Sequence, residues 1–182
     1  YSTVGWSDAF VVKLNATGTA LGYATYLGGS DTDIGYGIAV DGEGSTYVAG
    51  YTGYTDPGMA DYEPFPTTPG AFDEDHNGAV GDTDAFIVKL NPSGSSLVYG
   101  TFYGGADRDE AYALAVDASG CAYVTGMTQS ADLPVTAGAF ATTHGGDDDA
   151  FVFKLAADGS TLEYAAFLGS SDSDWGYGIA VD

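Results

Sequence analysis

The chain has 182 residues, with 26 Asp and Glu against 4 Lys and Arg and a formal net charge of −22. Phosphate backbones are held by Lys and Arg, so this balance excludes a nucleic-acid binder and argues equally against docking on an anionic membrane. Disorder is excluded as well, because 45% of the residues are apolar and 14% aromatic, and 28 Gly with 14 Tyr describe an all-β chain rich in tight turns.

Residues 1 to 7 read as the tail of a connector. Tyr1 to Val4 carry no basic-then-apolar signal, and no later stretch approaches the roughly 18 apolar residues of a membrane span, so no membrane insertion is expected. A 34-residue block follows at 8–41 and recurs at 84–117 and 149–182. Each copy opens on Asp-Ala-Phe (Asp8, Asp84, Asp149), keeps a Lys-Leu pair (Lys13, Lys89, Lys154) and closes on Ala-Val-Asp at Asp41, Asp117 and Asp182. The opening aspartates are 76 and 65 positions apart, and the difference falls in the connectors, 52–83 and 128–148. Insertions confined to one connector mark a loop outside a constant core.

Within a block, Phe10, Val12 and Leu14 alternate with Val11 and Lys13, a period of two that predicts a strand. Asn15 to Gly18, Asn91 to Gly94 and Ala157 to Gly159 form the turns, and return strands run over 21–27, 97–103 and 162–168. A Gly- and Asp-rich loop then leads to small-residue strands at 37–40, 113–116 and 178–181, and a further turn leads to strands at 46–51 and 122–127. Four short antiparallel strands per unit describe a β-propeller-like array of blades, with Ala- and Gly-rich strands innermost. The expected architecture is two full blades with partial blades at each end, the last a lone inner strand.

Asp-Ala-Phe-x-x-Lys-Leu, Tyr23 to Gly29 (Tyr-x-Thr-x-Leu-Gly-Gly), Tyr36 to Asp41 (Tyr-Gly-Ile-Ala-Val-Asp) and Phe65 to Phe72 (Phe-Pro-Thr-Thr-Pro-Gly-Ala-Phe) together resemble the SBBP-type β-propeller repeat. Leu133 to Phe140 keep the last motif more loosely. The resemblance implies a propeller fold and a secreted or cell-surface setting, and it brings no catalytic residues with it.

The carboxylates offer the most plausible chemistry. Asp31 and Asp33, Asp107 and Asp109, and Asp172 and Asp174 recur before each inner strand, a hard oxygen pattern that suits Ca²⁺, although the downstream bidentate Glu of an EF-hand is missing. Turn capping is the competing role for the same residues. The second copy departs from the others, with Arg108 between its carboxylates and Glu110-Ala111 in place of Ile34-Gly35. Asp73 to Asp75 and Asp147 to Asp149 add acidic connector runs, whereas Asp41 to Gly44 reads as a turn. Lys13, Lys89 and Lys154 are expected to pair with Asp8, Asp84 and Asp149. His76 and His144 fall in the variable connectors without a nucleophile motif, so no enzyme is expected. Trp6, Trp175, Tyr51, Tyr54 and Tyr62 could stack on a glycan, against the commoner packing role. Asn15-Ala16-Thr17 is an N-glycosylation sequon on a turn. Lone Cys121 forbids an intrachain disulfide.

Two readings of the open blades stand: a window of a longer repeat polymer, or head-to-tail assembly with copies of itself, in which one copy's strand completes the next copy's blade. Either makes the chain a non-catalytic structural repeat protein. The alternative is a binding or adhesion module cut from a longer secreted protein.

Overall fold

The computed structural model describes residues 6–54, 56–58 and 60–182. Residues 1–5 of the proposed connector tail at 1–7 lie outside them. Ten strands follow one another: β1 (Ala9–Leu14), β2 (Leu21–Leu27), β3 (Asp33–Val40), β4 (Thr46–Gly53), β5 (Thr83–Leu90), β6 (Leu97–Tyr103), β7 (Asp109–Val116), β8 (Ala122–Thr128), β9 (Asp149–Leu155) and β10 (Leu162–Leu168). Among the described residues there is no helix long and apolar enough to cross a membrane.

The strands form one antiparallel pair, β1-β2, and two four-stranded antiparallel sheets, β3-β4-β5-β6 and β7-β8-β9-β10. These are propeller-like blades, and each joins the inner strand of one sequence block to the outer pair of the next. The turns that join outer strands carry Gly18, Gly94 and Gly159 at φ of +68°, +68° and +76°, a region that side chains with a Cβ rarely enter.

Strand alternation gives each blade two apolar faces. Phe86, Val88 and Leu90 of β5 point back toward the outer pair and pack with Ala9, Val11 and Leu27. Ala85 and Ile87 of the same strand point forward and pack with Phe151, Phe153 and Leu155 of the second blade. Connector residues Phe65 and Leu133 are buried with these two cores in turn. Phe65 stacks on Phe86 with ring centroids 4.4 Å apart.

The connectors also close the outer edge of each blade. Thr68 N–H donates to the Gly100 carbonyl (3.0 Å) and Phe102 N–H to the Asp73 carbonyl (2.9 Å); Thr136 N–H donates to Ala165 (3.0 Å) and Phe167 N–H to Ala141 (3.1 Å). Peptide groups on β6 and β10 that would otherwise template another strand are thereby occupied.

The inner strands begin earlier than the small-residue pattern predicts, at Asp33 and Asp109. In both, the register passes over one residue, Tyr36 between Gly35 and Gly37 and Tyr112 between Ala111 and Ala113. Opposite these bulges stand Gly50 and Gly126, where a Cβ would overlap the carbonyl oxygens of Ile34 and Glu110.

The third inner segment corrects the expectation of a strand at 178–181, because no strand forms after Leu168. β3 and β7 draw their ladders from β4 and β8, and among the described residues no strand pairs with 176–182. The segment is held instead by Asp174 N–H on the Asp148 carbonyl (2.8 Å) and Gly176 N–H on the Gly126 carbonyl (3.1 Å).

Candidate functional site

The loops that carry the chain from one blade to the next, 28–32 and 104–108, hold the recurring carboxylates. Asp33 Oδ2 accepts the Gly29 N–H (2.8 Å), Asp109 Oδ2 accepts those of Gly105 (2.7 Å) and the Ser130 hydroxyl (2.7 Å), and Asp174 Oδ2 accepts the Ser170 N–H (2.7 Å). The second aspartate of each pair therefore closes its own loop. The first points elsewhere: Asp31 is half-buried, while Asp107 and Asp172 are exposed. Among the described residues no three His, Cys, Asp or Glu side chains converge as a metal site would require.

The opening aspartates reach the same junctions. Asp84 Oδ2 accepts the Asn77 N–H (2.8 Å) and Asp149 Oδ2 the Gly145 N–H (2.6 Å). A Cβ on Gly104 or Gly169 would overlap Asp84 or Asp149, which accounts for Gly at the start of each loop. Burial raises the Asp84 carboxyl to about 8, helped by the Asp109 charge and only partly offset by the Asn77 N–H. Burial likewise raises Asp33 and Asp109 to about 6 against the lowering effect of Thr52 or Thr128 and the loop N–H. Oδ1 of Asp33, Asp84 and Asp109 is buried without a hydrogen-bond partner. Such an atom is costly for a carboxylate, and protonation lowers that cost.

The histidines prove equivalent despite their unequal spacing. His76 packs edge-on against Phe102 and His144 against Phe167, with centroids 5.8 and 5.7 Å apart. The residue after each His is the one that caps the Asp-Ala-Phe carboxylate. His76 Nδ1 accepts the Gly78 N–H (3.2 Å) and lies 3.7 Å from Asp84 Oδ2, and burial lowers the pKa of the ring.

The lysines contradict the expected pairing with Asp8, Asp84 and Asp149. Lys89 Nζ lies 3.4 Å from Asp41 and Lys154 Nζ 3.5 Å from Asp117, the aspartates that end the preceding blocks. Asp41 meanwhile accepts the Glu43 and Ser45 N–H groups, as Asp117 accepts those of Ser119 and Cys121, so both cap turns as expected for 41–44. Lys13 reaches the Gly44 and Pro92 carbonyls (3.5 and 3.4 Å). The reason is topological: β4 lies beside β5 and β8 beside β9, which brings the end of one block against the lysine of the next.

Asn15 is exposed on its turn, where Oδ1 accepts the Thr19 N–H (2.9 Å). Asn91, which its following proline bars from glycosylation, makes the same bond to Ser95 (3.0 Å). The acidic runs are likewise engaged. Asp73 Oδ2 accepts Asn77 Nδ2 (2.6 Å), and Asp148 accepts Gln129 Nε2 (2.7 Å) and Trp175 Nε1 (3.0 Å).

Two surfaces were not legible as surfaces in the sequence. The inner-strand bulges turn Tyr36 and Tyr112 outward, and Tyr177 continues the row, with centroids 5.4 and 5.2 Å apart. Beside Tyr112 the second copy breaks the repeat: Glu110 is buried, pairs with Arg108 and accepts the Tyr112 hydroxyl (2.9 Å). The other surface is the back face of the outer pair. Phe86, Val88 and Leu90 are each 0% exposed, whereas their equivalents Phe10, Val12 and Leu14 are 71%, 44% and 55% exposed. Among the other expected aromatics, Trp6 is exposed, Tyr51 packs on Tyr36 (5.9 Å) and Tyr54 stacks on His76 (4.7 Å).

Comparison with known proteins agrees with this architecture. Residues 22–56 match the family SBBP, described as a beta-propeller repeat. The match spans the second half of the outer pair and the first two strands of the next blade. The chain is also 31% identical over 173 residues to the Regulatory protein FlaEY of Caulobacter vibrioides, an alignment covering 93% of this chain. The chain spans 16% of that protein's length.

Proposed function

We propose that this chain is a non-catalytic structural repeat module, secreted or on the cell surface, that assembles end to end by adding blade to blade. One observation carries the reading: Phe10, Val12 and Leu14 occupy the positions that are fully covered in both complete blades, yet they are exposed. The surface that covers such a trio is the forward face of a preceding blade, built from residues of the Ala85 and Ile87 type. A head-to-tail neighbour would present that face, a heterologous contact that propagates rather than closes in pairs.

The sheet order sharpens what the neighbour must bring. A β4-type strand stands between every inner strand and its outer pair, so segment 176–182 of a second copy is not by itself the partner of β1. Completion needs an inner strand and a β4-type strand together. Asp31, Asp107 and Asp172 are the carboxylates through which Ca²⁺ would tighten such an assembly, and identical melting curves in EDTA and millimolar Ca²⁺ would remove that part.

Electron microscopy and light scattering of the purified chain test the central claim. Ordered polymers are expected, and Phe10→Asp should dissolve them with the β-sheet spectrum intact. Monodisperse particles at high concentration would overturn it. The outward tyrosine row favours a second reading, an adhesion module that stacks sugars on Tyr36 and Tyr177; selective retention on a glycan array, lost in Tyr36→Ala, would support that instead.

A further inference from the structure

The first connector is longer than the second, and its Tyr62, Pro64 and His76 line a cleft of 470 Å³; the cleft on the matching loop at Gly104 to Ala106 is smaller, 310 Å³, and has no aromatic ring in its lining. Its floor is the inter-blade loop at Asp31 and the end of β4, and its walls are Tyr54, Tyr62 and His76, with Glu74 and Asp75 at the rim. In the second blade Ser130 stands at the position of Tyr54. There Ser130 Oγ bonds Asp109 and donates no such wall, and Asp132 accepts the Ala106 N–H (3.0 Å). The aromatic lining is therefore no requirement of the blade; the short connector sets two small polar side chains against the matching loop.

No Lys or Arg lines the cleft, and burial disfavours a charge on the His76 ring. An anion would meet three carboxylates and no compensating charge. A bare divalent ion wants six or more oxygens at about 2.0–2.6 Å, and no three acidic or imidazole groups converge among the described residues. Aromatic faces beside carboxylates suit a larger cation, whose charge is spread over C–H or N–H groups. From this lining we infer that the cleft binds an organic ammonium group, a polyamine or the side chain of a lysine on a partner. The inference is independent of end-to-end assembly, since Phe10, Val12 and Leu14 take no part in lining the cleft.

The test is titration of the purified chain, followed by tyrosine NMR shifts and calorimetry, with spermidine and with N-acetyl-lysine amide as separate ligands. Saturable binding is expected, weakening as salt rises from 50 to 500 mM, and tenfold or more weaker in Tyr62→Ala. The Glu74→Gln, Asp75→Asn double variant alters only exposed side chains and should weaken binding about threefold or more with an unchanged melting curve. Tighter binding of spermidine assigns a free polyamine, and tighter binding of the lysine amide assigns a partner side chain. Absence of saturation with both amines would overturn the proposal, as would displacement of neither amine by the other, or binding indifferent to both sets of substitutions.

Discussion

The outer pair and the two complete blades carry nearly the same residues and differ in what surrounds them. Phe10, Val12 and Leu14 match Phe86, Val88 and Leu90 residue for residue, yet one trio is exposed and the other fully buried. Burial here is a property of the neighbour rather than of the strand. An apolar trio on an open face is a contact surface awaiting its counterpart, and a pattern of two cannot by itself say whether that counterpart is present.

The largest expected effect separates the two directly. Phe86→Ala should cost about 3–5 kcal/mol through lost burial and a cavity between blade and outer pair, read as a lower urea midpoint. Phe10→Ala should leave the midpoint of the dispersed chain within about 0.5 kcal/mol while weakening polymerisation. Equal losses in the two variants would mean that Phe10 is covered within a single chain.

The junction carboxylates sharpen the same contrast through pH. Asp84 titrates at about 8 in the folded chain and Asp33 and Asp109 at about 6, all above the unfolded value of 3.8. The folded state therefore holds protons that the unfolded chain releases. Stability from these groups is complete below about pH 4 and falls as pH rises through 6 and then 8. Between pH 5 and 8 the loss from Asp84 is on the order of 2–4 kcal/mol at about 1.4 kcal/mol per unit. Denaturant midpoints at pH 5, 6.5 and 8 should decline in order, and Asp84→Asn should flatten the upper part of the curve. A flat profile in the unaltered chain would show these carboxyls to be hydrated.

Gly126→Ala should cost about 1–3 kcal/mol, because its Cβ would overlap the Glu110 carbonyl and straighten the bulge. Gly42→Ala, with nothing within 4 Å, is the near-neutral control. Loss of the Tyr112 to Tyr177 ring contact in NMR spectra of Gly126→Ala would tie the bulge to the tyrosine row. The smallest effect belongs to Lys89→Met, about 0.5–1 kcal/mol at a mostly covered pair with Asp41. Asp41→Asn in the same background should add almost nothing, and a strictly additive double variant would break that pairing.

Much of the fold was legible. The return strands fall at 21–27, 97–103 and 162–168 as read, because strict alternation ended at glycines whose φ values left few other turns. The strand pattern failed at 178–181, since a ladder needs a neighbour and composition does not supply one. The site was harder to read. Asp-x-Asp looks alike whether it holds a cation or its own loop, and it is the Gly29 and Gly105 N–H groups, with the Ser130 hydroxyl, that set Asp33 and Asp109 apart from Asp31 and Asp107. The lysine partners were hidden because sheet pairing crosses from one block to the next. His76 and His144 sit eight and five residues before their aspartates, so linear spacing disguised one role; the Phe of β6 and β10 that each His meets was the signal available.

Every four-stranded sheet draws its innermost strand from one block, its second strand from the segment after that block, and its outer pair from the next block, which leaves the hereditary unit and the folding unit out of phase. Duplication of one full repeat, the block with the strand and connector that follow it, therefore adds a whole blade together with its junction aspartates, its lysine pair and its edge-closing connector, wherever in the repeat the breakpoint falls. Such a gene lengthens or shortens by recombination without inventing an interface. The tolerance ends at the long connector, whose aromatic-lined cleft is not copied by a repeat that carries the short one.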